Sequence, residues 1–297
     1  MEKRTEPIRL KPECITCLVK SRLNKYPEDI SVEEKIDYMQ RVMKEIAELP
    51  KHYSAPVAVR TISRIQKEMF GQAEDYREIK RYFNELMMKK VPELAENVKK
   101  SEDPLKLAIQ YAMTGNYIDF GAFDRVDERK LEVFFEEAKK NPVNENEFSA
   151  LKEDLEKAKH IVYLLDNCGE AVVDKLLISV IRKQNPKAKI TAVVRGSDVL
   201  NDATMEDAVQ IGLNEVAKVI GNGTDIAGTC LDEISKEAKD MIDSADVILS
   251  KGQGNFETLQ NCGKNIYYIF MCKCEMFAKR FQVPQFCGML INDKNVK

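Results

Sequence analysis

The sequence predicts an α/β protein in which a helical N-terminal region is followed by a Rossmann-like three-layer α/β/α domain with a mostly parallel sheet. Apolar residues recur at helical spacing from residue 14 to about residue 158, and short β-branched apolar runs alternate with amphipathic helices after it. Strands that are apolar throughout are typical of a parallel sheet covered on both faces. We therefore expect a helical domain over residues 1–102, a helical connector over 103–158 and the α/β/α domain over 159–297.

Stripes of apolar residues three and four positions apart predict the helices of the first half. They cover Ile36 to Leu49, Ala58 to Met69, Tyr82 to Leu86, a helix that starts after Asp103, and Phe148 to Ala158. Ser31 and Glu34 form a capping box before the first stripe, and Asp103 followed by Pro104 is typical of an N-cap and first helical position.

The segment GNYIDFGAFDRVD, Gly115 to Asp127, interrupts this helical series with glycines, aspartates and aromatic residues. Its composition predicts a loop that joins two helical subdomains. A loop so rich in Asn and Asp could also reach a site, so we keep both interpretations open.

Five apolar runs predict the strands of the second half. They are His160 to Leu165, Ile190 to Val194, Val216 to Ile220, Val247 to Leu249 and Ile266 to Met271. Helices are expected between them, near Ala171 to Lys183, Met205 to Ile211 and Leu231 to Ile242.

Composition excludes several classes of partner. The 46 basic and 49 acidic residues nearly cancel, and this balance gives no support to nucleic acid or an anionic membrane as a partner. No apolar stretch is long enough to span a membrane, and the N-terminus has no apolar signal region, so we expect a cytoplasmic protein whose eight cysteines are mostly reduced. Abundant Lys and Glu without Trp are typical of a thermophilic source. Oligomeric state is not indicated.

Polar residues follow all five predicted strands. They are Asp166 to Glu170, Arg195 to Asp198 with Asn201 and Asp202, Gly221 to Asp225, Ser250 to Phe256, and Lys273 between Cys272 and Cys274. Any one of these groups fits a helix cap, a turn or a solvated charge. Because ligands of open α/β sheets bind beyond the carboxyl ends of the strands, five such groups on one edge favour a ligand site.

The residue types at this edge favour phosphate-ester chemistry. Asp166, Asn167 and Asp202 offer the hard oxygen ligands that Mg²⁺ or Mn²⁺ prefer. The turn from Gly252 to Gly254 exposes backbone N–H groups suited to phosphate oxygens, and the cations available are Lys251, Lys273 and Arg195.

Other catalytic chemistries lack the residues they need. His52 and His160 are the only histidines, one in the helical half and one at the start of a strand, which argues against Ser/His, Cys/His and His-rich zinc catalysis. Neither GxGxxG at the first strand-to-helix turn nor GxxxxGK[ST] occurs, so neither a dinucleotide site nor a P-loop is indicated.

Three motifs together resemble the metal-dependent damage-control phosphatases, the family called domain of unknown function 89. They are DNCGE at Asp166 to Glu170, RGSDVLND at Arg195 to Asp202, and KGQGNFE at Lys251 to Glu257. GNYIDF at Gly115 to Phe120 also looks like a family segment, and CITC at Cys14 to Cys17 resembles the CxxC of a prokaryotic branch.

The resemblance implies a phosphomonoester hydrolase for small phosphometabolites, such as sugar phosphates and damaged phosphorylated cofactors or nucleotides. Asp166, Asn167 and Asp202 would bind Mn²⁺, Ni²⁺, Co²⁺ or Mg²⁺, and Lys251, Gly252, Gln253, Gly254 and Asn255 would meet the substrate phosphate. Lys273 would bind substrate, although the surrounding MCKC departs from the RTxK of other branches. Arg195 is a further candidate, and Asn116 and Asp119 would form the far wall of the pocket.

Several roles have more than one interpretation. Glu170 is either a residue that orients water or a carboxylate that favours a helix N-terminus, and Asp166 could form an aspartyl-phosphate. Cys14 and Cys17, expected before a helical run, are either packing thiols or part of a thiolate metal site completed by Cys272 or Cys274. Cys168 is expected to be a small turn residue.

Two other functions are considered. One is an S-adenosylmethionine-dependent carboxyl methyltransferase. Methyl transfer does not require Asp166, Asn167 and Asp202, and the sequence lacks the glycine-rich first loop expected of such an enzyme. The other is a non-catalytic metabolite-binding module. Failure to release phosphate from a broad panel of phosphometabolites would favour the latter.

Overall fold

The computed structural model describes residues 8–23, 25–50, 52–71, 75–119 and 127–296. Its helical half comprises α1 (Pro12–Arg22), α2 (Val32–Glu48), α3 (Ala55–Phe70), α4 (Arg77–Lys100), α5 (Pro104–Gly115), α6 (Glu128–Glu137) and α7 (Glu145–Lys157). Its second half comprises β1 (His160–Leu164), α8 (Glu170–Gln184), β2 (Lys189–Val194), α9 (Met205–Gln210), β3 (Lys218–Gly221), α10 (Lys236–Asp243), β4 (Val247–Lys251), α11 (Gln253–Leu259), β5 (Ile266–Cys272), α12 (Glu275–Phe281) and β6 (Cys287–Asn292).

The six strands form one sheet in the order β3-β2-β1-β4-β5-β6. β1 to β5 are parallel, and β6 runs antiparallel to β5 at the edge of the sheet. The mostly parallel α/β fold is therefore confirmed. The chain winds outward from β1 through β2 to β3 and then from β4 through β5, so the topological switch point lies between β1 and β4.

Two hydrophobic cores cover the two faces of this sheet because side chains alternate along each strand. In β1, Ile161 and Tyr163 belong to a core shared with helices α4 to α8, and Val162 and Leu164 to a core shared with helices α10 to α12. A third, smaller core joins α1, α2 and α3 around Tyr38. Since α4 to α7 share their core with the sheet, the helical half brings residues directly to the sheet; the expected domain boundaries remain a prediction.

Several elements differ from expectation. α6, α11, α12 and β6 carry no signal that the sequence pattern identified. The helix expected from Leu231 begins only at Lys236, because the Ser235 side chain accepts a hydrogen bond from Ala238 N and caps it there. Cys14 and Cys17 lie inside α1 rather than before it. Of the Gly115–Asp127 loop, residues 120–126 lie outside the described residues.

No helix in the described ranges combines the length and the apolar character that a membrane crossing requires.

Phe256 of α11 anchors the second core and leads to a stability prediction. It is fully buried, and its ring lies 5.0 Å from that of Tyr268 and 5.3 Å from that of Phe270. We expect Phe256→Ala to lower the free energy of unfolding by about 3–5 kcal/mol because it leaves a cavity among aromatic rings. Urea unfolding measures this, with Phe286→Ala as a control because Phe286 is 41% exposed. An equal loss in both variants would contradict the assignment of Phe256 to the core.

Candidate functional site

The carboxyl ends of β1 and β2 meet through their following loops. Asn167 and Asp202 form an isolated antiparallel bridge, Ala203 N donates to Asp166 O at 2.8 Å, and Cys168 N donates to Asn201 O at 2.8 Å. This pairing brings Asp202, which is distant in sequence, beside the adjacent residues Asp166 and Asn167 at the switch point.

Arg195 joins the two carboxylates of this group. Its Nε lies 2.5 Å from Asp202 Oδ2, and its Nη2 lies 3.1 Å from Asp166 Oδ1. Its Nη1 donates to Asn255 Oδ1 and to the Gly228 carbonyl, each at 3.1 Å. Arg195 is 2% exposed, so the guanidinium acts as an internal brace between the carboxylates.

Gly252 lets the main chain after β4 pass directly over Asp166. A Cβ atom at Gly252 would lie 1.8 Å from Asp166 Oδ2, far inside van der Waals contact. Its φ of 77° and ψ of 158° fall in a region that is essentially restricted to glycine. Gly252 is therefore required by this approach, which is a different role from the phosphate contact expected of it.

Glu170, the first residue of α8, lies under the group and is fully buried. Its Oε2 accepts from Asn116 Nδ2 at 2.8 Å and from Asn167 Nδ2 at 3.2 Å. The same two amide nitrogens also donate to Asp166 Oδ2, at 3.2 Å and 2.8 Å respectively. Asn116 Oδ1 accepts from Met271 N at 3.0 Å, which fixes the orientation of this amide. Asn116 thus reaches the site, as its loop suggested.

Lys251 is enclosed beneath Glu170 and is fully buried. Its Nζ forms a very short hydrogen bond to Glu170 Oε1 and lies 2.9 Å from Asp174 Oδ1 and 3.0 Å from the Ala112 carbonyl oxygen. Tyr163 OH also donates to Asp174 Oδ1, at 2.7 Å. An ammonium has three donors, and all three are used inside the protein. The structure therefore does not present Lys251 to a phosphate, contrary to expectation.

The remaining residues of the expected phosphate loop are largely engaged by the protein. Asn255 Nδ2 donates to the carbonyl oxygens of Leu165 and Lys251. Gln253 Nε2 donates to Glu257 Oε1, and a Cβ at Gly254 would lie 2.1 Å from the Ala227 carbonyl oxygen. This loop is thus held tightly against β1 and the loop that follows β3.

Lys273 lies after β5 and forms an ion pair with Asp119, at 2.6 Å between Nζ and Oδ2. Asp119 is close enough to Asp166 and Asp202 to raise the pKa of both carboxyls. The Lys273–Asp119 ion pair therefore lies near Asp166 and Asp202, at the edge of the sheet where the sequence predicted Lys273.

The charges of the site do not cancel. Among the described residues that these ion pairs join, the five carboxylates outnumber the three cations by two; the carboxylates are Asp119, Asp166, Glu170, Asp174 and Asp202, and the cations are Arg195, Lys251 and Lys273. Burial raises the pKa of Asp166 well above its usual range, and Asp202 and Glu170 raise it further. Burial also raises the pKa of Asp202 to about 6, although Arg195 opposes the shift.

This imbalance and the free oxygen atoms fit a divalent cation. Within the part of the chain that the structure describes, Asn167 Oδ1 and Asp202 Oδ1 accept no hydrogen bond. Two charges of a hard metal ion would offset the excess, and carboxylate and carboxamide oxygens are its preferred ligands. The described ranges contain no group of three or more His, Cys, Asp and Glu side chains that could hold a metal ion. A metal site at this position therefore needs the amide oxygen of Asn167 as a ligand.

Cys14 and Cys17 make none of the contacts described above for this site. Cys14 and Cys17 lie on α1 with Glu257 and Cys274 as electrostatic neighbours, and burial raises the pKa of both thiols. Among the described residues, these two thiols do not form a group of three or more possible metal ligands with other Cys, His, Asp or Glu side chains. The thiolate metal site completed by Cys272 or Cys274 stays a prediction. Cys168 is buried in the turn before α8, which fits the small turn residue that was expected.

Sequence reasoning missed Asp174 and Tyr163. Asp174 lies one turn after Glu170 on α8 and is buried, as are the nearby apolar residues Val173 and Leu177. A carboxylate at such a position needs a buried cation, and this is the signal that would have identified it as the partner of Lys251.

Comparisons with known proteins agree with this architecture. A family model described as the damage-control phosphatase ARMT1-like domain matches residues 10–286. The chain is 30% identical to a damage-control phosphatase of Archaeoglobus fulgidus, covering 92% of this chain and 95% of that one. It is 30% identical to damage-control phosphatase PH1575 of Pyrococcus horikoshii, covering 97% and 99%. The crystal structure of a DUF89 family protein from Pyrococcus horikoshii matches with a TM-score of 0.81 at 28% identity, over 96% of this chain and 99% of that one.

Proposed function

The chain belongs to the damage-control phosphatase family with the ARMT1-like domain, and on that premise we propose that it is a metal-dependent phosphomonoester hydrolase acting on small phosphorylated metabolites. The observation that carries the proposal is the meeting of Asp166, Asn167 and Asp202 at the switch point, where carboxylates outnumber cations among the described residues. A divalent cation complements that charge distribution, and once bound it would attract the anionic phosphate ester.

Asp166, Asn167 and Asp202 would hold the metal through their side-chain oxygens. The chemistry that Mn²⁺, Ni²⁺, Co²⁺ or Mg²⁺ would supply there is that of a Lewis acid toward a phosphoryl oxygen. Arg195 keeps the two carboxylates side by side by pairing with both. Asp166 and Glu170 both accept from the side-chain nitrogen of Asn167, so that this nitrogen points inward and the amide oxygen is left for a ligand.

The substrate phosphate would lie between this group and Lys273. Lys273 exchanges its Asp119 partner for a phosphoryl oxygen, and its positive charge then stabilises the charge that develops as the ester bond breaks. A water attacks phosphorus in line with the leaving alkoxide. Sugar phosphates, nucleotides and phosphorylated cofactors all present the required group.

Glu170 is a poor candidate for the general base because both of its oxygens are enclosed by donors. Its contacts support an orienting role. The competing route forms an aspartyl-phosphate on Asp166. Labelled phosphate that stays on the denatured enzyme after quenching would identify that route, and its absence supports direct attack by water.

A phosphate-release assay over a broad metabolite panel tests the proposal. We expect activity with added Mn²⁺, Ni²⁺, Co²⁺ or Mg²⁺ and none after treatment with a chelator. Asp202→Asn should lower kcat by about 10²- to 10³-fold, because it removes one charged oxygen ligand. Asp198→Asn is the matched control, since Asp198 lies in the same loop with 69% of its side chain exposed.

Two outcomes would oppose the assignment. Phosphate release that persists fully in the chelator would remove the metal from the reaction. Full activity in Asp202→Asn, with Asp198→Asn behaving the same, would place the reaction elsewhere in the protein.

A further inference from the structure

Lys251 has no donor left for a substrate. Its three ammonium hydrogens are directed at Glu170, Asp174 and the Ala112 carbonyl, and its side chain is fully buried. A phosphate could bind Lys251 only if one of these contacts broke and the surrounding layer opened. The role of this residue must therefore be sought in what it holds.

A chain of hydrogen bonds leads from Lys251 to the atoms that face the site. Lys251 holds Glu170 Oε1, and Glu170 Oε2 accepts from the side-chain nitrogens of Asn116 and Asn167. Both nitrogens also donate to Asp166 Oδ2. Each amide nitrogen has two hydrogens, so the nitrogen of Asn167 is fully used by Glu170 and Asp166. Its oxygen is then the only polar atom that this side chain can offer a ligand.

The Glu170 carboxylate excludes the flipped amide of Asn167, in which the oxygen would face Glu170 and the nitrogen would face the site. A carboxylate can only accept, so it selects the nitrogen side of both amides. Lys251 provides the buried positive charge that this carboxylate needs. Asp174 pairs with Lys251 and also accepts a hydrogen bond from Tyr163 OH.

We propose that Lys251 is a positioning residue that never contacts the substrate: through Glu170 it fixes the amides of Asn116 and Asn167 and so sets the oxygen of Asn167 toward the site. The proposal rests on the proposed function for its consequence in catalysis, but the orientation of the amides is a property of this chain alone. Removing a residue that orients a metal ligand through a hydrogen bond typically lowers metal affinity or activity by about 10- to 100-fold.

The first test concerns the amides and needs neither metal nor substrate. Protein labelled with ¹⁵N-asparagine gives side-chain NH₂ signals, and those of Asn116 and Asn167 are assigned by Asn116→Asp and Asn167→Asp. We expect both signals to be protected from solvent exchange in the original protein and to lose protection in Lys251→Met and in Glu170→Gln. Unchanged protection in the folded variants would overturn the proposal.

Lys80→Met is the matched control. Lys80 is also a buried lysine, with 4% of its side chain exposed, and it pairs with Asp207 at 2.7 Å and Asp198 at 3.1 Å outside this chain of hydrogen bonds. Its loss should lower stability without changing the two amide signals. A loss of protection in this variant as well would show that any buried lysine has the effect, and the specific role of Lys251 would fall.

The second test separates positioning from phosphate contact. Mn²⁺ affinity by calorimetry should weaken about 10- to 100-fold in Lys251→Met and Glu170→Gln. At saturating Mn²⁺, the inhibition constant of inorganic phosphate and the substrate KM should change less than about threefold, while kcat falls, because the lost contact is not with substrate. A tenfold weaker phosphate constant with unchanged Mn²⁺ affinity would assign Lys251 to the phosphate instead.

The double variant Lys251→Met with Glu170→Gln removes the ion pair as a unit and limits the risk that a lone buried charge prevents folding. If the two residues act in series, its Mn²⁺ affinity equals that of the weaker single variant within about twofold. Fully additive losses would contradict the series. If the original protein releases no phosphate from any compound, the proposed function fails, and the amide signals still decide the role of Lys251.

Discussion

Asp166→Asn is expected to lower kcat for phosphate release by at least about 10²- to 10³-fold while leaving a folded protein. Asp166 is where the contacts of the site converge: Arg195 binds one carboxylate oxygen, and Asn116 and Asn167 donate to the other. An amide at this position places a nitrogen donor against neighbours that are themselves donors. It also removes one of the charges that a divalent cation would neutralise.

The stability of this variant should change far less than its activity. Arg195 keeps its ion pair with Asp202, and the repulsion between the Asp166 and Asp202 carboxylates disappears. These effects offset part of the cost, about 1–3 kcal/mol, of a buried donor that faces other donors, so we expect the variant to stay folded. Steady-state kinetics at saturating Mn²⁺, Mn²⁺ calorimetry and urea unfolding give the three quantities.

Asp246→Asn is the control for this substitution because Asp246 lies at the opposite, amino-terminal edge of the sheet. Its Oδ2 accepts from Lys159 N and His160 N, each at 2.8 Å, so its role is to tie the start of β1. This variant should lose some stability and keep its kcat. The reverse pattern, with Asp166→Asn active and Asp246→Asn inactive, would place the reaction at the other edge of the sheet.

The sheet could be predicted because its signal is local. Continuous β-branched runs such as Ile190 to Val194 mark buried parallel strands without knowledge of their neighbours. β6 was not predicted because it is an antiparallel edge strand with mixed burial. Its residues, Cys287 to Asn292, do not form a continuous β-branched run. α11 escaped because Gly252 and Gly254 were interpreted as a turn, whereas the first precedes the helix and the second lies within it.

The site could be predicted in part. Asp166, Asn167 and Asp202 follow neighbouring parallel strands, and the rule that ligand-binding residues collect at one edge of such a sheet is enough to place them together. The rule says nothing about which groups a side chain will meet. Lys251 is the last residue of β4, at the same edge of the sheet. Its partners Ala112 and Asp174 come from helices α5 and α8, and only the packing of these helices determines their proximity.

Gly252→Ala is expected to abolish measurable activity through the shape of the main chain rather than through any lost side chain. Its φ and ψ are essentially restricted to glycine, and the added Cβ would lie 1.8 Å from Asp166 Oδ2. Either the loop after β4 or the Asp166 carboxylate must move by more than an ångström. A displacement of that size at reacting groups typically costs about 10²-fold in rate, and the lost ligand geometry adds to it.

Gly263→Ala separates the clash from backbone strain. Gly263 also has a positive φ, of 75°, but no atom lies within 4 Å of the Cβ that alanine would add. This control should lose about 1–2 kcal/mol of stability from the left-handed backbone and retain its kcat and Mn²⁺ affinity. Because the two glycines share the sign of φ and differ in their surroundings, activity that survives equally in both variants would mean that Asp166 need not stay under Gly252, and the site's geometry would have to be reassigned.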